Sequence, residues 1–149
     1  QRPEPLQVGS LSVPDATGGD PISFTAPPRE LMLVYFGYTS CPDVCPTTMA
    51  DVRGALRDVG DDAERVEFVF VTVDPQRDTA DLLTTYVDYF MDRWRVGRTE
   101  DRTALGGVSH TGNLYAVDAP GTVVAEWAFG TAADDIANDL RILLEDHSA

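Results

Sequence analysis

Cysteine is scarce in this chain, with two residues in 149. A disulfide framework needs cysteines spread along the sequence, so none staples this fold. Two cysteines three residues apart leave redox chemistry, metal binding or chance. Histidine also occurs twice, and His147 is read as part of the C-terminal tail. Basic residues number 11 against 25 acidic ones, a formal net charge of −14. Such a surface repels nucleic acid and anionic lipid, so no nucleic-acid partner is expected. No apolar run reaches the length of a bilayer span, and Leu31 to Tyr38 is far too short for one. Gln1-Arg2-Pro3-Glu4-Pro5 has no apolar signal core, so any export or anchoring segment would lie upstream of Gln1. Internal repeats and low-complexity segments are lacking as well.

What is present suits one domain over residues 1–149. The hydrophobic fraction is 43%, and a chain of this size buries roughly 70% of its extended surface. Residues 1–30 contain six prolines and form an N-terminal extension. Within it, Leu6 to Val13 and Ile22 to Thr25 are predicted to pair as a hairpin across Asp15–Gly19. Leu31 to Phe36 is apolar at every position and reads as a strand buried on both faces. Gly37 to Pro46 follows as a loop. A helix then carries Met49, Val52, Leu56 and Val59 on one face.

Val66 to Val73 is a second apolar strand. Asp74–Asp78 makes a turn, and Asp78 is the expected N-cap of a helix through Leu82, Tyr86 and Phe90. Asn113–Val117 and Val123–Trp127 are strands joined by the turn Asp118-Ala119-Pro120-Gly121. Thr131 to Asp134 resembles a capping box for a last helix, whose stripe is Ile136, Leu140, Leu143 and Leu144. A βαβ unit followed by a ββα unit is the thioredoxin arrangement. The fold class is therefore α/β, with a central mixed sheet flanked by helices and an N-terminal hairpin extension. Residues 92–109 show little periodicity and are expected only to connect a helix to a strand.

Both cysteines precede proline, Cys41-Pro42 and Cys45-Pro46. Proline disfavours a helical residue before it and is welcome at the first helical position. Cys45 is therefore expected at the N-cap of the first long helix, or Cys41 at that of a short preceding turn. At a helix N-terminus the dipole favours thiolate, the form that binds metal or attacks disulfides. Thioredoxin-type dithiols are separated by two residues, whereas three separate these. The longer spacing lets two sulfurs spread around a metal and still permits a disulfide. Two thiolates suit Cu(I), and an added imidazole suits Cu(II) as well. His110 stands just before the Asn113–Val117 strand, where a thioredoxin fold brings the chain opposite the cysteine loop. Thioredoxins carry a cis-proline there, and this chain has no proline between Trp94 and Ala119.

The stretch Phe36 to Pro46 resembles the signature of the Sco/SenC copper proteins. Val71-Thr72-Val73-Asp74-Pro75-Gln76-Arg77-Asp78-Thr79 resembles their second motif. His110, followed by a strand and the Asp118–Gly121 turn, resembles their third. The resemblance covers roughly residues 5–146. It implies a thioredoxin fold and one Cu(I) or Cu(II) ion held by Cys41, Cys45 and His110. It also implies a metallochaperone, rather than an enzyme, for the copper A centre of cytochrome c oxidase. The copper A subunit or another copper protein would be the partner. The family is tethered to a membrane and faces an extracytoplasmic space, and a monomer is expected. Two departures stand out. Ser109 occupies a commonly acidic position. The family also carries about two dozen more residues before the histidine. Residues 92–109 are thus a connection either shortened or incompletely represented, with a break within Arg102–Val108 as the preferred reading.

Other readings use the same residues. A thiol–disulfide reductase would attack with Cys41 and resolve with Cys45. A peroxiredoxin would need Thr or Ser three residues before its reactive cysteine, where this chain has Tyr38, with Thr39 one residue too close. A copper or redox sensor would use the same ligands. Zinc held by two Cys, one His and water is chemically reasonable, and family resemblance decides for copper. Asp74 reads first as a turn residue and second as a carboxylate that orients partners. Met49 reads as core rather than as a copper ligand.

Overall fold

A computed structural model describes residues 7–37, 44–72, 74–98, 113–128 and 130–146, with the backbone alone for 44–46. Its centre is a five-stranded sheet of order β5-β4-β3-β6-β7. The strands are β3 (Leu31–Gly37), β4 (Val66–Thr72), β5 (Trp94–Arg98), β6 (Leu114–Val117) and β7 (Val123–Trp127). β3, β4 and β5 run parallel, β6 pairs antiparallel with β3, and β7 pairs antiparallel with β6. This is the expected thioredoxin-like order with one further parallel strand at its edge. Two short strands, β1 (Ser12–Val13) and β2 (Ile22–Ser23), form the separate hairpin of the N-terminal extension.

β3 is buried at all seven positions because both its faces are covered. Leu31, Leu33 and Tyr35 face a core shared with α1 (Val44–Val59), α2 (Ala80–Phe90) and α3 (Ala133–Asp146). Met32, Val34 and Phe36 face a second core closed by Val8, Val13, Ile22, Phe24 and Ala26 of the extension. The sheet thus has helices on one side and residues 8–26 on the other, which explains the unbroken apolar runs of β3 and β4.

β5 is absent from the sequence reading, which leaves 92–109 as a connection. Its pattern, Trp94-Arg95-Val96-Gly97-Arg98, alternates, but the buried position on the extension side is filled by glycine. A Cβ there would lie 2.7 Å from Val13 Cγ2. The hairpin packs so closely on the edge strand that no apolar side chain fits, and the period-2 signal is lost. Arg95 closes the same edge by a two-pronged pair with Glu67, at 2.8 and 3.0 Å.

The N-cap of α2 is Thr79, whose side chain accepts from Leu82 N, and not Asp78. The buried stripe of α2 is Leu83 and Val87, with Tyr86 and Phe90 only partly covered and Leu82 half exposed. Thr131 does not form the expected box: α3 begins at Ala133, and the Thr131 hydroxyl donates to Ala128 O. Ile136, Leu140 and Leu144 are buried as expected, and Leu143 partly. The Asp118–Gly121 turn closes with Gly121 N donating to Asp118 O and Thr122 N to Asp118 Oδ1. Gly121 has φ +92° and would place a Cβ 2.3 Å from Gly9 Cα, so this turn requires glycine on both counts.

Candidate metal centre

The parallel strands end in register. Gly37 pairs with Thr72, and Thr72 with Arg98. From this end of the sheet the chain leaves Gly37 toward the cysteines and re-enters at Val44 as α1. β6 runs the opposite way, with Leu114 opposite Tyr35, so the chain from His110 reaches the sheet at the same end. Two residues separate His110 from Asn113, a reach of about 10 Å at most. Topology therefore attaches the segment that carries the cysteines and the segment that carries His110 to one end of the sheet. Open α/β sheets bind ligands outside the carboxyl ends of their strands.

Cys45 is the second residue of α1, whose first residue is Val44. It is therefore not the N-cap, and the chain turns helical before the Cys45-Pro46 pair rather than at it. Pro46 is tolerated because the first four N–H groups of a helix have no intrahelical acceptor. The backbone of Cys45 still lies in the first turn, where orphan N–H groups and the dipole favour a thiolate. Cys41, His110, Ser109, Tyr38, Thr39 and His147 lie outside the described residues. So do Arg102–Val108. Among the described residues, no three His, Cys, Asp or Glu side chains gather as a metal site. Met49 is fully buried in the helix-side core with Val52 and Leu83, as its spacing predicts.

A polar network braces the sheet end beside this edge. Thr72 is the one polar residue among the inward positions of β4. Its hydroxyl donates to Oδ2 of the fully buried Asp78 and accepts from Asp74 N at 3.0 Å. Arg98 Nε donates to Pro75 O at 3.0 Å and to Asp78 O at 2.9 Å. The turn after β4 is thereby fixed from the adjacent strand. Asp74 is partly exposed and lies 3.7 Å from Arg77 Nε. On the other side of the edge, Asn113 Nδ2 donates to Glu126 Oε2 at 2.8 Å, joining the start of β6 to β7.

The sequence reading misses Thr72, Arg98 and Glu126 in these roles. A lone polar residue ending an apolar strand is a signal that could have found Thr72. Nothing local marks Arg98 or Glu126, whose partners are 20 and 13 positions away.

A family model described as SCO1/SenC matches residues 15–99, more than half of the chain. The human mitochondrial SCO2 homolog is 35% identical over 90 residues, covering 58% of this chain and 33% of its own length. The chain thus spans about a third of that relative. Two solved structures are alike in fold. Bradyrhizobium japonicum ScoI with copper bound is 24% identical, with a TM-score of 0.71, covering 93% of this chain and 97% of its own. The apo Sco1 protein of Thermus thermophilus is 24% identical, with a TM-score of 0.79, covering 96% and 94%. With the cysteine motif and the Asp74–Asp78 turn both inside the matched span, the chain belongs to the SCO1/SenC family.

Proposed function

We propose that this protein binds one copper ion as cargo through Cys41, Cys45 and His110. It passes that ion to the copper A subunit of cytochrome c oxidase or another copper protein. The observation that carries the reading is the position of Cys45 in the first turn of α1. That turn stands at the sheet end to which the His110 segment is also attached. The donor set fits the cargo: two soft thiolates suit Cu(I), and the imidazole extends the site to Cu(II). Membership of the family and the likeness to a copper-bound ScoI support the same assignment. Delivery would proceed by ligand exchange, with thiolates of the recipient replacing Cys41, Cys45 and His110 in turn. The protein would work as a monomer on the outer side of a membrane. Among the described residues no helix is long and apolar enough to cross a membrane, so an anchor would come from elsewhere in the protein.

A second reading uses the same first-turn location of Cys45. The reduced pair would attack a disulfide of the recipient, form a mixed disulfide and release two recipient thiols, with Cys41 and Cys45 ending as a disulfide. Transfer separates the two. Copper-loaded protein, mixed anaerobically with a fully reduced soluble copper A domain, should lose its copper to that domain. If copper stays put while an oxidised copper A domain is readily reduced by the metal-free protein, the reductase reading replaces the chaperone one.

A further inference from the structure

We infer that Glu126 is a positioning residue for His110, acting through Asn113; this rests on His110 being a ligand. β7 reads Val-Val-Ala-Glu-Trp, and Glu126 is its one charged residue. It is paired in register with Tyr115 and is part-buried. Its Oε2 accepts from Asn113 Nδ2 at 2.8 Å. Asn113 is the last residue before β6, three positions after His110. The contact therefore fixes the nearest described anchor of the histidine segment. Beyond it the backbone reaches only about 10 Å to His110.

Glu126 is part-buried, and the Asn113 amide replaces some of the hydration that burial removes. Holding β6 to β7 does not require this contact, since four residue pairs already join these strands. A hydrogen bond to an ionised carboxylate is shorter and stronger than a neutral one. It restricts the chain where an imidazole has to be aimed. Ligand histidines are commonly oriented by such outer partners, and losing one typically costs about 10–100-fold in metal affinity.

The test is a double-mutant cycle on the full chain, read by competitive Cu(I) titration and by Cu(II) paramagnetic resonance. Glu126→Ala should weaken Cu(I) about tenfold and reduce the nitrogen hyperfine signature of Cu(II). Glu126→Gln, which keeps an acceptor for Asn113 and loses its charge, should recover part of both. In a His110→Ala background, Glu126→Ala should add nothing. Unchanged affinity and spectrum in Glu126→Ala would overturn the inference. So would an equal loss in the His110→Ala background, which would mark Glu126 as purely structural. Asn113→Ala reports the same coupling if Glu126→Ala fails to fold. Loss of tight binding in Cys45→Ala checks the copper site itself. Its persistence there would refute the copper reading, whatever Glu126 does.

Discussion

Asp78 carries more than its place in a turn suggests. It is fully buried and accepts from Thr72, whose own oxygen accepts from Asp74 N. Asp78→Ala leaves the Thr72 hydroxyl without that acceptor in a dry site, which costs about 1–3 kcal/mol. The midpoint of urea unfolding should fall accordingly, with an unchanged slope. Gly97 is a second such point, because any Cβ meets Val13 Cγ2 at 2.7 Å. Gly97→Val should cost about 1–3 kcal/mol by overpacking. If Gly97→Val unfolds at the wild-type urea concentration, the close packing of the hairpin on β5 is wrong. At this scale the chain was only partly legible. The helical spacing of Met49 predicts a core position, and it is buried there. Asp78 was assigned as a cap because Asp is a good N-cap in general. The structure gives that task to Thr79, since burial against Thr72 uses the aspartate elsewhere.

Among elements, those with uninterrupted period were visible and those built on tertiary contact were not. β3, β4 and β7 follow from apolar runs, and α3 from its stripe. β5 escaped because a glycine stands where the pattern needs an apolar residue, for a reason located in Val13. α2 was found, but its buried line is turned to Leu83 and Val87. Its aromatic side is instead stabilised by a chain of ring contacts, Phe70 to Tyr86 at 5.8 Å and Tyr86 to Phe90 at 5.6 Å. The extension acts as a structural layer as well as a leader to β3. Phe24 is buried against the sheet face formed by Val34, Phe36 and Tyr115. Phe24→Ala should destabilise the fold by about 3–5 kcal/mol, measurable as a drop in Tm. A near-neutral result would show that the second core does not contribute to stability. The candidate site was legible as a motif of residue types, because Cys-x3-Cys and a distant His are chemical signals. Its supports were not, because Arg98 and Glu126 act on segments far off in the sequence.

For the molecule as a whole, the −14 net charge sets behaviour that no single contact does. Like charges oppose compaction, and salt screens them within a Debye length of about 10 Å at 0.1 M. Stability should therefore rise with sodium chloride at fixed urea. A flat or falling dependence would show that local pairs such as Arg95–Glu67 already balance the surface. Association with a recipient that offers a basic face should slow steeply as ionic strength rises. The proposed copper site consists of two thiolates, Cys41 and Cys45, completed by the His110 imidazole. The most direct measurement is an anaerobic Cu(I) titration of the reduced protein against a calibrated competing chelator, repeated with Cys41→Ala, Cys45→Ala and His110→Ala. One tight equivalent is expected, abolished by either cysteine substitution and weakened by His110→Ala. Failure of the fully reduced wild type to outcompete the chelator would contradict it.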